Sequence, residues 1–237
     1  MLVYKRLVEK AMHNMSIIMA VFNGGSDVVR AIRSIKNQTL KDFRLIIVDD
    51  ASTDGSAKRI SAQLSCTDID WVLVENDSSM GVLKSVQKAY DMCESEWIIR
   101  IDHDDEFCDL TLETLNKNSG ANIVCGPYQE IDRSGKIRTI VPKNLMECVA
   151  CGVLLNKNSI DKAGGYVCDD VGMFIEYDLY MRMMESGSRV LFGSGPIVYR
   201  YYRRCDSITG CLHKVMLSLD KFRAKWGDDA TNAIRSY

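Results

Sequence analysis

The chain has 237 residues, 46% of them hydrophobic and 26% charged, with a formal net charge of -2. This supports a full core in one domain, or one domain with an appendage. The charge balance gives no footprint for nucleic acid, and no apolar run approaches the roughly 20 residues that span a bilayer.

The N-terminus lacks the apolar core of a signal peptide. The nine cysteines follow no regular framework and are odd in number, so they read as free thiols in a reducing cytosol. Cys148-Val149-Ala150-Cys151 is formally a CxxC, but it has no second pair and runs into the apolar stretch 152–155. It reads as structural rather than as a metal or redox site.

The spacing predicts elements in this order. Leu2, Val3, Leu7, Val8, Ala11, Met12 and Met15 approximate an apolar stripe over residues 2–15. An amphipathic helix docked on the protein's own core fits this stripe, with a membrane-surface helix as the alternative. Residues 16–22 read as a buried strand. Ser26 is placed to cap a helix through about Gln38, with Val28, Val29, Ile32 and Ile35 on one face. A strand over 43–48, a helix opened by Asp54 or Ser56 and reaching 64, a strand over 71–74, a helix over 82–92 and a strand over 97–101 follow. This alternation indicates βαβ units and a parallel sheet, whose ligands sit beyond the carboxyl ends of the strands.

The second half is less regular. A strand at 123–126, a hairpin over 128–140 turning at Ser134-Gly135 and a strand at 151–155 are expected. A helix over 175–185 stopped by Gly187, strands at 190–192 and 197–202, and a final helix over 211–225 complete the chain.

Polar residues collect after the predicted strands: "VDDASTDGS" with Asp49 and Asp50, "NDSSMG", and "DHDDE" with Asp102, Asp104 and Asp105. Carboxylates this close repel one another. A hard divalent cation, Mn²⁺ or Mg²⁺, offsets that repulsion and takes oxygen ligands from one or two carboxylates and a substrate phosphate. The alternative is a solvated turn, with Asp109 capping the following helix.

In this order, "SIIMAVFNGG", "AIRSIKNQTLKDFRLIIVDDASTDGS", "GVLKSVQKAY" and "WIIRIDHDDEF" resemble the family-2 inverting glycosyltransferases. The resemblance runs from about Ser16 to Thr209. It implies an α/β fold of the GT-A type: a Rossmann-like, mostly parallel central sheet flanked by helices, with a smaller mixed acceptor-side region. Together with the apolar stripe, the expected division of the single domain is an N-terminal amphipathic helix (1–15), a nucleotide-sugar-binding half (16–126), an acceptor and catalytic-base half (127–210) and a C-terminal helix (211–237).

The resemblance also implies roles. Phe22 and Asn23 touch the nucleotide, and Asp50 accepts a hydrogen bond from a uracil ring nitrogen, while Asp49 is nucleotide-facing or structural. Gly81 provides a tight entry near the ligand, although Ser79 stands where the family has Asn. Lys84 reaches base, ribose or phosphate, or lies on a solvated face. Asp102 faces ribose and metal, Asp104 ligates the metal, and Asp105 supports them. His103 points away or joins the metal.

"AGGYVCDDVGMFIEYDLYMRM" carries the catalytic-base pattern, with Glu176 where the family has Asp and Ile175 where it has Glu. Asp178 is the second candidate for the catalytic base, with an ion pair to Arg182 as its structural alternative. Cys205 takes the position of a family metal-site histidine, leaving the third protein ligand open, with His213 as a substitute. Arg203 and Arg204 are placed to stabilise a departing diphosphate. With Arg200, Lys214, Lys221, Arg223 and Lys225 they make the C-terminal end basic, toward a phosphate, an anionic lipid surface or solvent.

The implied function is metal-dependent transfer of a sugar from a nucleotide-sugar, a UDP-sugar by resemblance, to a hydroxyl of a glycan, lipid-linked or other acceptor. The expected setting is cytoplasmic, including the inner face of a membrane. Alternatives are a sugar nucleotidyltransferase, although "FNGGSD" lacks the cations that cradle a triphosphate, and a non-catalytic nucleotide-sugar-binding module.

Overall fold

Residues 15–21 are apolar or small, are buried throughout and carry no solvent-facing alternation, as a central parallel strand requires. The computed structural model describes residues 2–6, 13–117, 120–167, 171–204 and 212–233.

In chain order the first elements are strand β1 (Leu2–Arg6), β2 (Met15–Val21), helix α1 (Asp27–Lys36), β3 (Phe43–Asp49), α2 (Ser56–Leu64), β4 (Asp70–Glu75), α3 (Val82–Asp91) and β5 (Trp97–Arg100). Then come β6 (Glu106–Phe107), α4 (Thr111–Asn116), β7 (Ile123–Cys125), β8 (Tyr128–Ile131), β9 (Ile137–Ile140), β10 (Leu154–Asn156) and α5 (Lys157–Lys162). The chain continues through α6 (Ile175–Glu185), β11 (Val190–Phe192), β12 (Tyr199–Tyr202) and α7 (Leu212–Ala233).

The large sheet runs in the order β1-β4-β3-β2-β5-β10-β7-β11. Strands β4, β3, β2 and β5 are mutually parallel. Their carboxyl ends therefore share one edge, and the loops after them meet there. Alternate side chains of β2 enter different cores. Ile18 and Ala20 pack in the cluster that includes α3, α6 and α7 side chains. Ile17, Met19 and Val21 pack in the one that includes α1 and α2. A smaller sheet, β6-β12-β8-β9, begins directly after the acidic loop and ties that loop to the second half.

Four expectations are corrected. Residues 2–6 are a strand, paired antiparallel with β4 from Leu2 opposite Glu75 to Arg6 opposite Trp71, and not the start of an amphipathic helix. Ser26 makes no side-chain cap; the Gly24 carbonyl instead accepts the N–H groups of Asp27 and Val28. Asp109 does not cap α4, whose N-cap is Leu110. The last helix extends to Ala233 across a break at Gly227, where φ is 80°. Among the described residues no helix is long and apolar enough to cross a membrane.

Candidate active site

The first two loops are joined by hydrogen bonds. Asn23, at φ 50°, donates its N–H to Ser52 Oγ (2.9 Å), and its Oδ1 accepts from Thr53 N (2.9 Å). Asn is among the few residues that tolerate this left-handed conformation. Gly25 N donates to Asp54 Oδ2 at 2.7 Å, and Asp54 Oδ1 accepts from Ser56 at the start of α2. Phe22 projects beside this junction and is half exposed.

Asp50 is buried beneath the third loop. Its Oδ1 accepts from Asn76 Nδ2 (2.9 Å), Met80 N (2.8 Å) and Ser85 Oγ (2.9 Å). Its Oδ2 accepts from Ser79 Oγ (2.7 Å) and Gly81 N (2.9 Å). Burial raises the pKa of this carboxyl, but these donors outweigh burial and lower it to about 2. The acceptor sites expected to face a base are thus filled by the chain's own donors. Gly81 takes φ 85° to enter α3, and Lys84 stands exposed on that helix. Asp49 is buried differently: Ser52 N reaches one oxygen, and the other has no hydrogen-bond partner. Burial, with the charges of Asp54 and Asp50, pushes its carboxyl up.

After β5, Asp102, Asp104 and Asp105 bring carboxylate oxygens within 4.8 Å of one another. Asp105 is itself anchored: Tyr199 Oη donates to its Oδ2 and Tyr202 N to its Oδ1, both at 2.8 Å. Burial first, then the charges of Asp104 and Asp102, holds Asp105 well above the usual carboxylate range. The same burial and Asp102 raise Asp104. Asp102 is lowered: burial opposes ionisation, but Arg100 outweighs it. This all-oxygen donor set suits a hard divalent cation, whose charge would reverse the penalty on Asp104.

His103 packs over Gly24, where an added Cβ would lie 3.0 Å from His103 Cδ2. Arg30 holds the loop from the other side. It donates to the Asp104 carbonyl and lies 4.2 Å from the Tyr202 ring centroid.

Arg204 reaches this cluster, with Nη1 2.7 Å from Asp27 Oδ2 and 3.7 Å from Asp104 Oδ2. Arg203 is directed into the smaller sheet, where it pairs with Glu130 at 3.0 Å. Cys205 lies outside the described residues, and His213 is exposed on α7.

Glu176 and Asp178 leave α6 in different directions. Glu176 is buried and accepts from Arg100 Nη1, so it faces the end of β5. Burial raises its pKa, against the pull of Arg100. Asp178 accepts from Arg182 Nε (2.8 Å), Trp226 Nε1 (2.8 Å) and Lys225 Nζ (2.7 Å). It docks α7, and the Arg182 pair expected as its structural alternative is present. Arg182 further donates to the carbonyls of Ala163, Gly165 and Tyr166, fixing the Gly-Gly-Tyr turn to the helix.

Arg100, Tyr199 and Asn76 make site contacts that no sequence motif assigns. Arg100 carried a signal: a charged residue inside an apolar central strand needs buried partners. Tyr199 carried none, because its role depends on the approach of two sheets.

An α/β fold whose sheet edge carries an acidic cluster able to hold a cation is what these loops define. Residues 16–164 match the family model described as "Glycosyl transferase family 2", and the chain belongs to that family. It is 30% identical over 169 residues to the poly(ribitol-phosphate) beta-N-acetylglucosaminyltransferase TarP of Staphylococcus aureus, covering 69% of this chain and 49% of that protein. It is 29% identical over 119 residues to the cholesterol galactosyltransferase of Borreliella burgdorferi, covering 49% of this chain and 33% of that one. The chain thus spans about half or less of the length of these relatives.

Solved structures share the GT-A fold. S. aureus TarS in complex with UDP-GlcNAc superposes with a TM-score of 0.73 at 12% identity, over 93% of this chain and 70% of that one. The mannosyltransferase PcManGT of Pyrobaculum calidifontis, in complex with GDP-Man and Mn²⁺, does so with a TM-score of 0.70 at 14% identity, over 94% and 69%.

Proposed function

We propose that the chain is a metal-dependent inverting glycosyltransferase that moves a sugar from a nucleotide-sugar, with UDP-sugars first in order, to a hydroxyl of a glycan or lipid-linked acceptor. The observation that carries this reading is the acidic cluster at the carboxyl edge of the parallel sheet, with Arg204 on one side and Arg100 leading to Glu176 on the other.

Asp102 and Asp104 would hold Mn²⁺ or Mg²⁺. The cation supplies charge stabilisation for a departing diphosphate. Arg204 adds a second positive group there. Glu176 takes the proton from the acceptor hydroxyl as its oxygen attacks the anomeric carbon from the face opposite the nucleotide. Burial raises the pKa of this carboxyl, which makes it a better base than an exposed glutamate.

Phe22, Asn23, Gly81 and Lys84 border the nucleotide, and Asp50 shapes the loop under the base. Direct contact of Asp50 with a uracil imide requires Ser79 Oγ to leave its Oδ2. Asp178 serves the fold of this half. Named relatives that transfer N-acetylglucosamine or galactose support a transferase over nucleotidyl transfer.

The test is nucleotide release from a panel of UDP- and GDP-sugars with Mn²⁺. Asp104→Ala should abolish the metal-dependent turnover, and Glu176→Gln should lower turnover by about 100-fold or more. Near-normal turnover by both variants would overturn the reading.

A further inference from the structure

Arg100 ends β5 and is only 8% exposed; its strand neighbours Ile98, Ile99 and Ile101 are each fully buried. Taking a guanidinium out of water is costly unless its donors are matched. Here one guanidinium serves two carboxylates from distant parts of the chain. Nη1 donates to Glu176 Oε1 on α6, and Nη2 donates to Asp102 Oδ1 at 2.6 Å. A planar fork can fix two acceptors at once in set directions; a lysine ammonium at the same place supplies charge without that geometry.

We propose that Arg100 is a positioning residue that couples the base carboxylate to the cation site. It holds Glu176 in register with Asp102, and its charge beside Asp102 opposes the entry of a divalent cation. The inference rests on the reading of Glu176 as the base and Asp102 as a metal-facing carboxylate.

The coupling has a sign that damage to the fold cannot imitate. Removing the guanidinium should impair turnover and yet tighten binding of the cation. A general loosening of the site would weaken both.

Two sets of variants test it. Arg100→Lys keeps the charge but loses the fork. UDP release from UDP-N-acetylglucosamine, or GDP release from GDP-mannose, should fall about 100-fold in kcat, with the donor KM within about threefold of wild type. In the Glu176→Gln background the same change should cost less than about threefold more, because the two residues act as one unit. A wild-type kcat for Arg100→Lys, beside an inactive Glu176→Gln, would overturn the coupling and leave the base assignment standing. An active Glu176→Gln would overturn the base assignment itself.

The second arm needs neither donor nor acceptor. Arg100→Met combined with Glu176→Gln removes both buried charges, so the pocket keeps its packing. Calorimetric titration with Mn²⁺ alone should show about three- to tenfold tighter binding than Glu176→Gln. Equal or weaker binding overturns the proposal. If the wild-type chain turns over neither sugar nucleotide, this titration decides it.

Discussion

Asp50 shows how a single side chain can organise a site from below. Five donors converge on its carboxylate from residues 76–85. Its pKa falls from 3.8 to about 2 despite burial. A carboxyl depressed by folding adds stability that is fully present above its unfolded value and is lost as pH falls through the folded one. The shift corresponds to on the order of 2 kcal/mol. Asp50→Asn would turn an amide NH₂ toward N–H and O–H donors. It is expected to lower Tm by about 4–8 °C at neutral pH and to flatten the acid limb between about pH 4 and pH 2, as read by calorimetry across pH. Gly152 is a second residue with no substitute. At φ 74° an added Cβ would lie 2.5 Å from the Tyr199 ring, and Tyr199 carries Asp105. Gly152→Ala should cost about 3 kcal/mol in urea denaturation, from left-handed strain and overpacking together.

At the scale of elements, α6 divides the work of two carboxylates that stand two residues apart. Glu176 faces the sheet, whereas Asp178 is spent on Arg182, Lys225 and Trp226. Asp178→Ala removes the one carboxylate that these three donors share. A loss of about 3 kcal/mol is expected, with faster amide exchange in α7 from Leu212 to Trp226. The end of α6 was legible because Gly187 stops it, and the strand–helix alternation through β5 was legible from its apolar runs and helical spacing. What escaped depended on partners far along the chain. Leu2–Arg6 has no helical commitment of its own and takes its conformation from the open edge of β4. β10 enters antiparallel between β5 and β7, and no local pattern announces that insertion. The acidic loops were visible as a motif, but the donors that saturate Asp50 and the fork of Arg100 were not, since both arise from tertiary approach.

The whole molecule places its repulsive charge where two sheets meet. Asp102, Asp104 and Asp105 follow β5, the last of the four contiguous parallel strands, and precede β6 of the smaller sheet, and β12 with the residues after it returns Tyr199, Tyr202 and Arg204 to the same point. The proposed cation would therefore do more than assist the leaving group: it would relieve repulsion at the seam between the halves. Ligands that bind only the folded state raise its stability by mass action, by about 2.7 kcal/mol at a hundred times Kd. For a chain of this length that is roughly 5–10 °C in Tm. Mn²⁺ with UDP or GDP is expected to give such a rise in thermal melts, and chelation should reverse it. Asp104→Ala should melt near the wild-type apo value yet lose the Mn²⁺ response, because it removes a repulsive charge along with a ligand. A Mn²⁺ shift that survives in Asp104→Ala would move the cation away from this seam.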